Sequence, residues 1–498
     1  MVGNGRPEGA AVTSAEIGRV HAVVLAGGSG QRFWPISREL SPKQLLGLFG
    51  TESLIAQAIH RVLPLLEGGA ADATVVTNER LFDELRNHLT AQGDARLHEV
   101  TYLVEPMGRN TAPAIALACA RIVSSDPLGV AVVLPSDHVL EDGAVWHDTL
   151  LCAIDLARAG YLATIGIEPT RPETGYGYIR RGEPLPDFAV GCAQPAVAGA
   201  FVEKPDEATA SSYLADGSYL WNAGIFVMRA SDYLDELRRT PANAAIADVA
   251  EAIAAGLPRD EARARFEALP SVSIDVAVME SADRVAVVPA SMGWSDVGSL
   301  LALEGLADPD PGGNVRIGRG VDVNSSNTIV YTGDRLVATL GVSGLVIVDT
   351  ADATLITNRD SVQDVRLVVD ALKAQGAAEV VQPKTSLRPW GTWTTLLEMP
   401  GYKVKEIDVK PGCRVSLQRH ARRSENWIVA SGRVRVTRDE DTIHLAAGES
   451  VHLPVGVTHR MENVGDELLR IIEVQTGDYL GEDDIERLAD DWHREATS

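Results

Sequence analysis

HAVVLAGGSGQRFWP, residues 21–35, is the stretch of sequence that decides the fold. Its first five residues are mostly apolar and include β-branched side chains, which predicts a buried strand, and the small residues after them predict a sharp turn into a loop. Gly27, Gly28 and Gly30 can adopt positive φ and allow a ligand to lie against the main chain. The backbone N–H groups of such a loop form an anion-binding concavity. The stretch therefore predicts an anion site at the end of a strand.

Two basic side chains, Arg32 and Lys43, follow this loop. Arg can hold phosphate oxygens in a bidentate manner and Lys acts as a point charge, so we expect a polyphosphate ligand. The loop alone is also compatible with a simple tight turn. It does not match the dinucleotide-binding fingerprint, because Phe33 stands where a third glycine is needed, and no Gly-Lys-Ser/Thr of a Walker loop follows it.

The pattern G-G-x-G-x-R-x-x-P from Gly27 to Pro35, closed by Pro42-Lys43, resembles the signature of sugar-nucleotide pyrophosphorylases. The resemblance implies that a nucleoside triphosphate lies on this loop, with Arg32 and Lys43 as catalytic charges. It also implies a Rossmann-like nucleotide-diphospho-sugar transferase domain.

The composition of the 498-residue chain is acidic, with a formal net charge of -24. This charge argues against nucleic-acid and membrane-surface partners, because proteins that bind them present basic surfaces. The four cysteines have no paired spacing, which predicts neither a disulfide framework nor a thiolate metal site and favours a reducing, cytoplasmic location. No apolar run has the length of a signal-peptide core or a membrane span. Residues 1–18 are predicted to be a disordered tail.

Three structured parts are predicted. Apolar strands alternate with amphipathic helices over residues 19–307, which predicts an α/β domain with a largely parallel sheet. Residues 313–376 are predicted to form a β connector, for which a β-helix is one candidate, with a helix at residues 362–374. A linker is expected at residues 375–385. Alternation of apolar and polar residues then predicts an antiparallel β domain over residues 385–487.

A predicted strand ending at Glu105 is followed by a helix for which Thr111 is the expected N-cap. Arg109 and Asn110 lie beside this helix start, a position suited to an anion or a base edge. The string E-P-M-G-R-N-T-A-P resembles the corresponding stretch of mannose-1-phosphate guanylyltransferases, which implies that Arg109 and Asn110 bind the nucleotide. The expectation of GTP as the nucleotide comes from this resemblance alone.

Two aspartates follow predicted strands that are far apart in the sequence. Asp137 comes after an apolar strand, and Asp296 lies in a W-S-D-V-G-S string that resembles a segment of the same family. Carboxylate oxygens are ligands that Mg²⁺ shares with phosphate. We therefore expect Asp137 and Asp296 to hold Mg²⁺ at the reacting phosphate, although either alone is equally compatible with a turn or cap.

Three further stretches, residues 173–178, 201–205 and 221–224, suit a sugar phosphate, because hydroxyls need hydrogen-bond partners and the phosphate needs a cation. The strings F-V-E-K-P at residues 201–205 and I-D-V-A-V-M-E at residues 274–280 are similar to the second pyrophosphorylase signature and to another family segment. Lys204 is the expected cation, although an ordinary solvated Glu-Lys pair explains it as well. The expected sugar-phosphate-binding residues are Gly175, Tyr176, Glu203, Lys204, Asn222 and Asp275.

The C-terminal part contains two motifs, at residues 412–432 and 448–463, that resemble those of a cupin β-barrel. The Gln-x-His pair projects from one face of a strand, and a Glu and a second His can converge on it. The expected ligands of a divalent metal such as Zn²⁺ or Co²⁺ are Gln418, His420, Glu425 and His459. A Gln as first ligand resembles type II mannose-6-phosphate isomerases, which implies metal-assisted isomerisation of a sugar phosphate.

Ala421, Arg422 and Asn426 depart from this resemblance. Guanylyltransferases with a C-terminal type II mannose-6-phosphate isomerase domain, the bifunctional family, typically have histidines there. The resemblance as a whole implies transfer of GMP from GTP to mannose 1-phosphate, with isomerisation as a second activity, in a homo-oligomer for which a dimer is the working expectation. Two alternatives stay open. One is an isomerase whose N-terminal domain only senses sugar nucleotides, and the other is a monofunctional guanylyltransferase whose cupin is structural.

Overall fold

A computed structural model describes residues 18–28, 30–191 and 193–491. The predicted disordered tail, apart from Gly18, lies outside the described residues. The described chain divides into two compact units. The first comprises residues 18–28, Lys43–Phe82 and Arg96–Ala302, and the second comprises Gly30–Pro42, Asp83–Ala95 and residues 303–491.

The first unit is built on one mixed sheet. Its strands are β1 Val20–Leu25, β2 Ala73–Asn78, β3 Thr101–Glu105, β4 Val130–Pro135, β5 Leu162–Ile167, β6 Gly177–Pro184, β7 Ala196–Glu203, β8 Tyr219–Arg229 and β9 Val285–Ala290. They lie in the order β3-β2-β1-β4-β8-β5-β9-β7-β6. β1 to β4 are parallel, as predicted, but β8 is antiparallel to both β4 and β5. β6 and β7 are also antiparallel, because the loop between them contains a short 3₁₀ turn and no crossover helix.

Helices cover both faces of this sheet. The helices of the first unit are α1 Leu54–Val62, α3 Thr111–Ser125, α4 Gly143–Arg158, α5 Glu207–Asp216, α6 Ala230–Arg239, α7 Ala244–Ala254 and α8 Arg259–Glu267, while α2 Glu79–Ala91 belongs to the second unit from Asp83 onward. On β4, Ala131 and Val133 pack in the core cluster that contains α3, while Val132 and Leu134 face the opposite side and are equally buried. The carboxyl ends of β1 and β4 therefore deliver their loops to one edge of a sheet that is closed on both faces.

Residues 315–358 of the second unit form a largely parallel β-structure, whose last two strands pair in the antiparallel direction. Its strands are β10 Val315–Ile317, β11 Gly320–Val323, β12 Ile329–Thr332, β13 Val337–Leu340, β14 Leu345–Asp349 and β15 Thr354–Asn358, and α9 Val365–Ala374 follows them. β10, β12 and β14 pair in parallel, as do β11 and β13, so alternate strands stack as successive rungs of a coil. This pairing bears out the β-helical candidate.

Two details of this region differ from the prediction. The predicted helix at residues 362–374 begins as a 3₁₀ turn, Arg359–Asp364, and becomes α-helical only at Val365. The predicted linker contains another 3₁₀ turn, in which Val380 is buried and its carbonyl accepts a hydrogen bond from the backbone N–H of Glu39. Burial of an apolar side chain thus anchors part of the predicted linker.

The rest of the second unit is an antiparallel barrel of two sheets. Its strands are β16 Thr385–Arg388, β17 Gly391–Met399, β18 Tyr402–Val409, β19 Leu417–His420, β20 Arg423–Ser431, β21 Arg433–Arg438, β22 Asp441–Ala446, β23 Ser450–Leu453, β24 His459–Asn463, β25 Leu469–Gly477 and β26 Ile485–Ala489. The sheet orders are β16-β17-β18-β25-β20-β23 and β22-β21-β24-β19-β26. Along β25 the inward residues change from Leu469 and Ile471 to Glu473 and Gln475, all buried. One half of the barrel interior is therefore apolar and the other polar.

The predicted fold class, an α/β Rossmann-like domain followed by a β connector and a cupin barrel, is confirmed. No helix among residues 18–28, 30–191 and 193–491 combines the length and the apolar character needed to cross a membrane.

Candidate functional site

One cavity of about 500 Å³ opens in the first unit at the carboxyl ends of its strands. This size suits a ligand larger than a simple sugar. The cavity brings together residues predicted from motifs that are widely separated in the sequence. The predicted residues that line it are Gly27, Gly28, Arg109, Asn110, Asp137, Gly175, Tyr176, Glu203, Asn222, Asp275 and Asp296.

Lys43 contacts the two loops that bring Asp137 and Asp296 to this cavity. Its ammonium group lies 2.8 Å from Asp137 Oδ2 and donates hydrogen bonds of 2.7 and 3.0 Å to the carbonyls of Asp296 and Val297. These contacts match the three hydrogens that a lysine ammonium offers. Lys43 is only 5% exposed, so it holds the two aspartate loops together. Its expected role as a catalytic charge on the phosphates stays a prediction.

The electrostatics around Asp137 keep that side chain ionised. Burial alone raises the pKa of Asp137, but the Lys43 charge and hydrogen bond outweigh burial and hold the pKa below its usual value. On the opposite side, the Tyr176 hydroxyl donates to Asp296 Oδ1 at 2.5 Å. Burial first, and Asp296 second, raise the pKa of Tyr176, so the hydroxyl stays a donor.

Asp137 and Asp296 fit a hard divalent cation. Both line the cavity and present carboxylate oxygens, the donor type that Mg²⁺ prefers. Asp137 uses Oδ2 for Lys43 and lies with Oδ1 3.9 Å from His138, whose pKa is lowered chiefly by burial. The donor set is therefore anionic and made of oxygen atoms.

Asn222 and Asp275 form a hydrogen-bonded polar pair in the wall of the cavity. Asn222 donates from Nδ2 to Asp275 Oδ1 at 2.6 Å, and its own Oδ1 accepts from the Gly224 N–H at 3.0 Å. Burial and the nearby Glu203 raise the pKa of Asp275. Among the described residues, the cavity lining does not include Lys204, which is exposed and pairs with Glu203.

The start of α3 corrects one prediction. Thr111 was the expected N-cap, but the helix begins at Thr111 and Asn110 caps it, accepting with Oδ1 from the Thr111 N–H at 2.8 Å. Asn110 has a φ of 66° and a ψ of −173°, a conformation outside the left-handed helical region that a residue other than glycine adopts only under strain. Arg109 donates to the carbonyl of Glu267 and lines the cavity with Asn110.

Glu105 is a cavity residue that the sequence reasoning did not single out. It is 4% exposed, its Oε2 has no hydrogen-bond partner among the described residues, and a side chain at Gly27 would contact its Oε1. Burial raises the pKa of Glu105 to about 8. An acid at the end of a strand, directly before Pro106, was the available signal.

Gly30 and Arg32 belong to the second unit. Gly30 precedes the 3₁₀ turn Gln31–Phe33 with a φ of 58°, a left-handed conformation that favours glycine. Its carbonyl accepts a hydrogen bond of 2.7 Å from the Ser37 hydroxyl. Arg32 lies within the turn, which orders this part of the predicted signature loop.

A second candidate site lies in the polar half of the barrel, where His420, Glu425 and His459 present ligand atoms within 4.8 Å of one another. The Nε2 atoms of the two histidines face the Glu425 carboxylate at 3.0 and 3.5 Å without hydrogen-bond geometry. Each Nδ1 faces a carbonyl instead, that of Val457 at 2.9 Å and that of Asp484 at 3.4 Å.

These orphaned Nε2 atoms fit a metal, because an imidazole fixed through Nδ1–H offers its Nε2 lone pair to a cation. Gln418 lies on β19 opposite His459, and its Oε1 accepts from the Ser416 hydroxyl at 3.1 Å. Burial opposes ionisation of Glu425, but the two histidines outweigh it and hold the pKa well below its usual value.

The three departures from the bifunctional family lie away from this donor set. Ala421 and Arg422 are exposed, and Arg422 pairs with Asp478. Asn426 follows the inward Glu425 on β20 and therefore points outward, where its Oδ1 lies 3.0 Å from Nδ1 of the exposed His452. These three positions therefore contribute no atom to the donor set of His420, Glu425 and His459.

Three family models match the chain. The model described as nucleotidyl transferase matches residues 21–308, the one described as MannoseP isomerase/GMP-like beta-helix domain matches residues 318–372, and the one described as mannose-6-phosphate isomerase C-terminal matches residues 375–490.

Similar proteins cover almost the whole chain. Xanthan biosynthesis protein XanB of Xanthomonas campestris pv. campestris is 43% identical over 95% of this chain and 98% of its own length. Mannose-1-phosphate guanylyltransferase of Salmonella montevideo is 40% identical over 95% of this chain and 99% of its own. A solved structure from Thermus thermophilus, described as mannose-1-phosphate geranyltransferase, is 34% identical with a TM-score of 0.62, covering 71% of this chain and 99% of that one.

Proposed function

The chain belongs to the family of mannose-1-phosphate guanylyltransferases that carry a C-terminal mannose-6-phosphate isomerase domain, and on this premise we propose that it transfers GMP from GTP to α-D-mannose 1-phosphate. The products are GDP-mannose and pyrophosphate, and GDP-mannose serves the synthesis of a mannose-containing polysaccharide or glycoconjugate. The predicted family and enzyme class are confirmed.

The observation that carries this proposal is the pair of aspartates at one cavity. Asp137 and Asp296 come from segments about 160 positions apart, and the buried Lys43 binds both loops. In-line phosphoryl chemistry asks a protein mainly for positioning and for neutralisation of phosphate charge. A rigid pair of carboxylates would position the Mg²⁺ that neutralises this charge.

In the proposed reaction, a phosphate oxygen of mannose 1-phosphate forms a bond to the α-phosphorus of GTP. The bond from that phosphorus to the oxygen bridging to the β-phosphate breaks, and pyrophosphate leaves with that electron pair. No general base is required, because the attacking phosphate is already ionised. Mg²⁺ held by Asp137 and Asp296 would neutralise charge on the phosphate oxygens.

The remaining residues bind and orient the substrates. We propose that the Gly27 and Gly28 backbone faces the phosphates and that Arg109, Asn110 and Glu105 lie on the base side. Gly30 and Arg32 enter the proposal as triphosphate-binding residues from the signature alone. The proposed sugar-phosphate-binding residues are Gly175, Tyr176, Glu203, Lys204, Asn222 and Asp275.

The test is pyrophosphate release by purified protein with Mg²⁺ and mannose 1-phosphate, with GTP compared with UTP and ATP. Asp137→Asn and Asp296→Asn should each lower the rate on the order of 10²-fold or more. Asp155→Asn, the same change on the exposed face of α4, is the matched control and should retain the parent rate. A protein that releases no pyrophosphate with any nucleotide would instead support the sugar-nucleotide-sensing alternative.

The barrel supports a second activity, interconversion of mannose 6-phosphate and fructose 6-phosphate. The observation that favours it is the pair of buried, unpartnered Nε2 atoms beside Glu425. We propose Gln418, His420, Glu425 and His459 as ligands of a divalent cation such as Zn²⁺ or Co²⁺, which would polarise the sugar carbonyl during proton transfer between C1 and C2.

NMR of fructose 6-phosphate incubated with the protein, together with metal analysis, tests this activity. His420→Gln should lose both bound metal and isomerisation, whereas His452→Gln, on the exposed face of β23, should keep both. An unchanged sugar phosphate and a barrel without metal would favour the structural-cupin alternative. Sedimentation analysis tests the proposed homo-oligomer.

A further inference from the structure

Three basic side chains are buried in the polar half of the barrel, beside the proposed metal ligands. Lys403 and Lys405 of β18 and Arg423 of β20 are 8%, 4% and 2% exposed, although lysine and arginine are rarely buried without a partner. In the ladder, Lys403 lies opposite Gln475 and Lys405 opposite Glu473. These three residues are here called the cation cluster.

The carboxylates of the barrel interior do not balance this cluster. Glu425 accepts from Arg423 Nε at 3.2 Å but also faces the two histidines. Glu473 accepts from the Trp427 indole N–H at 2.9 Å. Buried cations without a matching anion are costly, so a further anion is expected at the cluster.

That anion comes from the segment after the last strand of the larger sheet. Residues 478–484, here called the C-terminal strap, run from β25 to β26 along the mouth of the polar half. Arg423 Nη1 donates to the Gly481 carbonyl at 2.7 Å, and Lys403 Nζ donates to the Leu480 carbonyl at 3.1 Å. Lys403 also pairs with the exposed Glu398. Lys405 is bonded to the carboxylate of Glu482.

Glu482 lies at the mouth of the barrel and not in its interior. Its side chain is 41% exposed, whereas that of Lys405 is 5% exposed. Burial opposes its charge, but Lys405 and Arg423 hold its pKa below the usual value. A carboxylate held by buried cations, yet open to water, can be exchanged for another anion without opening the barrel.

Arg423 connects this place to the metal ligands. Its Nε reaches Glu425, and its Nη1 reaches the strap. An anion that replaced Glu482 would therefore lie one arginine side chain away from the donor set. A hexose phosphate could reach both places, because it has a carbonyl at one end and a phosphomonoester at the other.

We propose that the cation cluster of Lys403, Lys405 and Arg423 binds the phosphomonoester of the isomerase substrate, and that Glu482 of the C-terminal strap is a built-in competitor that the phosphate displaces. The proposal rests on the isomerase activity proposed above. It adds a regulation of that site, because strap closure and substrate binding exclude each other at the same cations.

Glu482→Gln is the central variant, since it removes the competing charge and keeps the side-chain shape. Its KM for mannose 6-phosphate should fall at least about fivefold, and inorganic phosphate should inhibit isomerisation at correspondingly lower concentration. Glu440→Gln, the same change at an exposed residue of the turn between β21 and β22, is the matched control and should leave both values unchanged. Lys405→Met should weaken phosphate inhibition. A higher KM in Glu482→Gln, or equal phosphate inhibition in Glu482→Gln and the parent, would overturn the proposal.

Hydrogen exchange of the full-length parent protein gives an answer even if a variant fails to fold. Inorganic phosphate or mannose 6-phosphate should increase exchange of the strap amides at residues 478–484, and should not do so in Lys405→Met. Unchanged or decreased strap exchange at saturating phosphate would refute displacement. If phosphate frees the strap in a protein that isomerises no sugar, the anion site stands and the isomerase proposal fails. If isomerisation proceeds while the strap amides stay protected from exchange, the isomerase proposal stands and the displacement of the strap is refuted.

Discussion

Replacing Lys43 by Met should destabilise both of the loops that carry Asp137 and Asp296 at the cavity of the first unit. The substitution keeps an unbranched side chain of similar length and removes the contacts of the ammonium group with Asp137, Asp296 and Val297. Val297 has a φ of 47°, which a β-branched residue adopts only under strain. The two carbonyl contacts of Lys43 stabilise this strained turn, together with the hydrogen bond from the Val297 N–H to the Ser295 hydroxyl.

The expected loss in the free energy of unfolding is about 3 kcal/mol. Breaking a buried ion pair from one side costs roughly 3–5 kcal/mol, and hydrogen bonds to a charged group contribute about 1.5–3 kcal/mol each without being additive. Asp137 is 34% exposed, so water compensates part of its loss and the lower end of the range applies. Pyrophosphate release should fall on the order of 10²-fold, because the two carboxylates lose their common anchor.

Urea unfolding followed by tryptophan fluorescence measures the first effect and the pyrophosphate assay the second. Lys373→Met, which removes a partly exposed ion pair with Glu39, is the control and should cost less than about 1 kcal/mol. In a double-mutant cycle, Lys43→Met and Asp137→Asn should be strongly non-additive. A Lys43→Met protein that unfolds at the parent's urea concentration and has additive effects with Asp137→Asn would refute the anchoring role.

The pH dependence of this contribution follows from Asp137. Its pKa is lowered in the folded state, since Lys43 outweighs burial, so the stabilisation is present above the unfolded pKa. It is lost as the pH falls through the lower, folded pKa. Below that range the parent and Lys43→Met should approach each other in stability.

Three further predictions concern other groups. Glu105 is buried with a pKa of about 8, so the parent should lose stability as the pH rises from about 4.5 to 8. In urea titrations, Glu105→Gln should be more stable than the parent at pH 8 by on the order of 3–5 kcal/mol. At pH 5 the two proteins should be nearly equal in stability. Asn222→Ala removes the hydrogen bond to Asp275, so the KM for mannose 1-phosphate should rise about tenfold while that for GTP stays near the parent value in steady-state assays. Removal of a divalent metal from the barrel by chelation should lower the midpoint of thermal unfolding, by an amount corresponding to about 2.7 kcal/mol at a metal concentration of 100 Kd, and Zn²⁺ or Co²⁺ should restore it in calorimetry.

Much of the architecture follows from local pattern. The apolar run before Gly27 predicts β1 because five adjacent apolar residues bounded by glycines suit a buried parallel strand. The spacing of Gln418, His420, Glu425 and His459 predicts a convergent donor set because residues two apart share one face of a strand. The antiparallel direction of β8 was not predictable in this way, since strand direction depends on connections and partners and not on side-chain periodicity.

The role of Lys43 shows where such reasoning stops. Its position after Pro42 predicts a basic residue near a phosphate, but a lysine has a long, flexible side chain, and the sequence does not tell which oxygens it reaches. The cap at Asn110 was missed for a similar reason, because Asn and Thr both cap helices and backbone φ decides between them.

By itself, the sequence determined the strands, the glycine loop, the two aspartates and the spacing of the barrel ligands, because these depend on residue type and on distances along the chain. Only the tertiary structure decided that Lys43 joins the two aspartate loops, that Glu105 is buried beside Gly27, and that Glu482 lies on the buried cations of the barrel. The physical reason is that pairing across a sheet and exclusion of water are properties of several segments together. No single segment carries them in its own pattern.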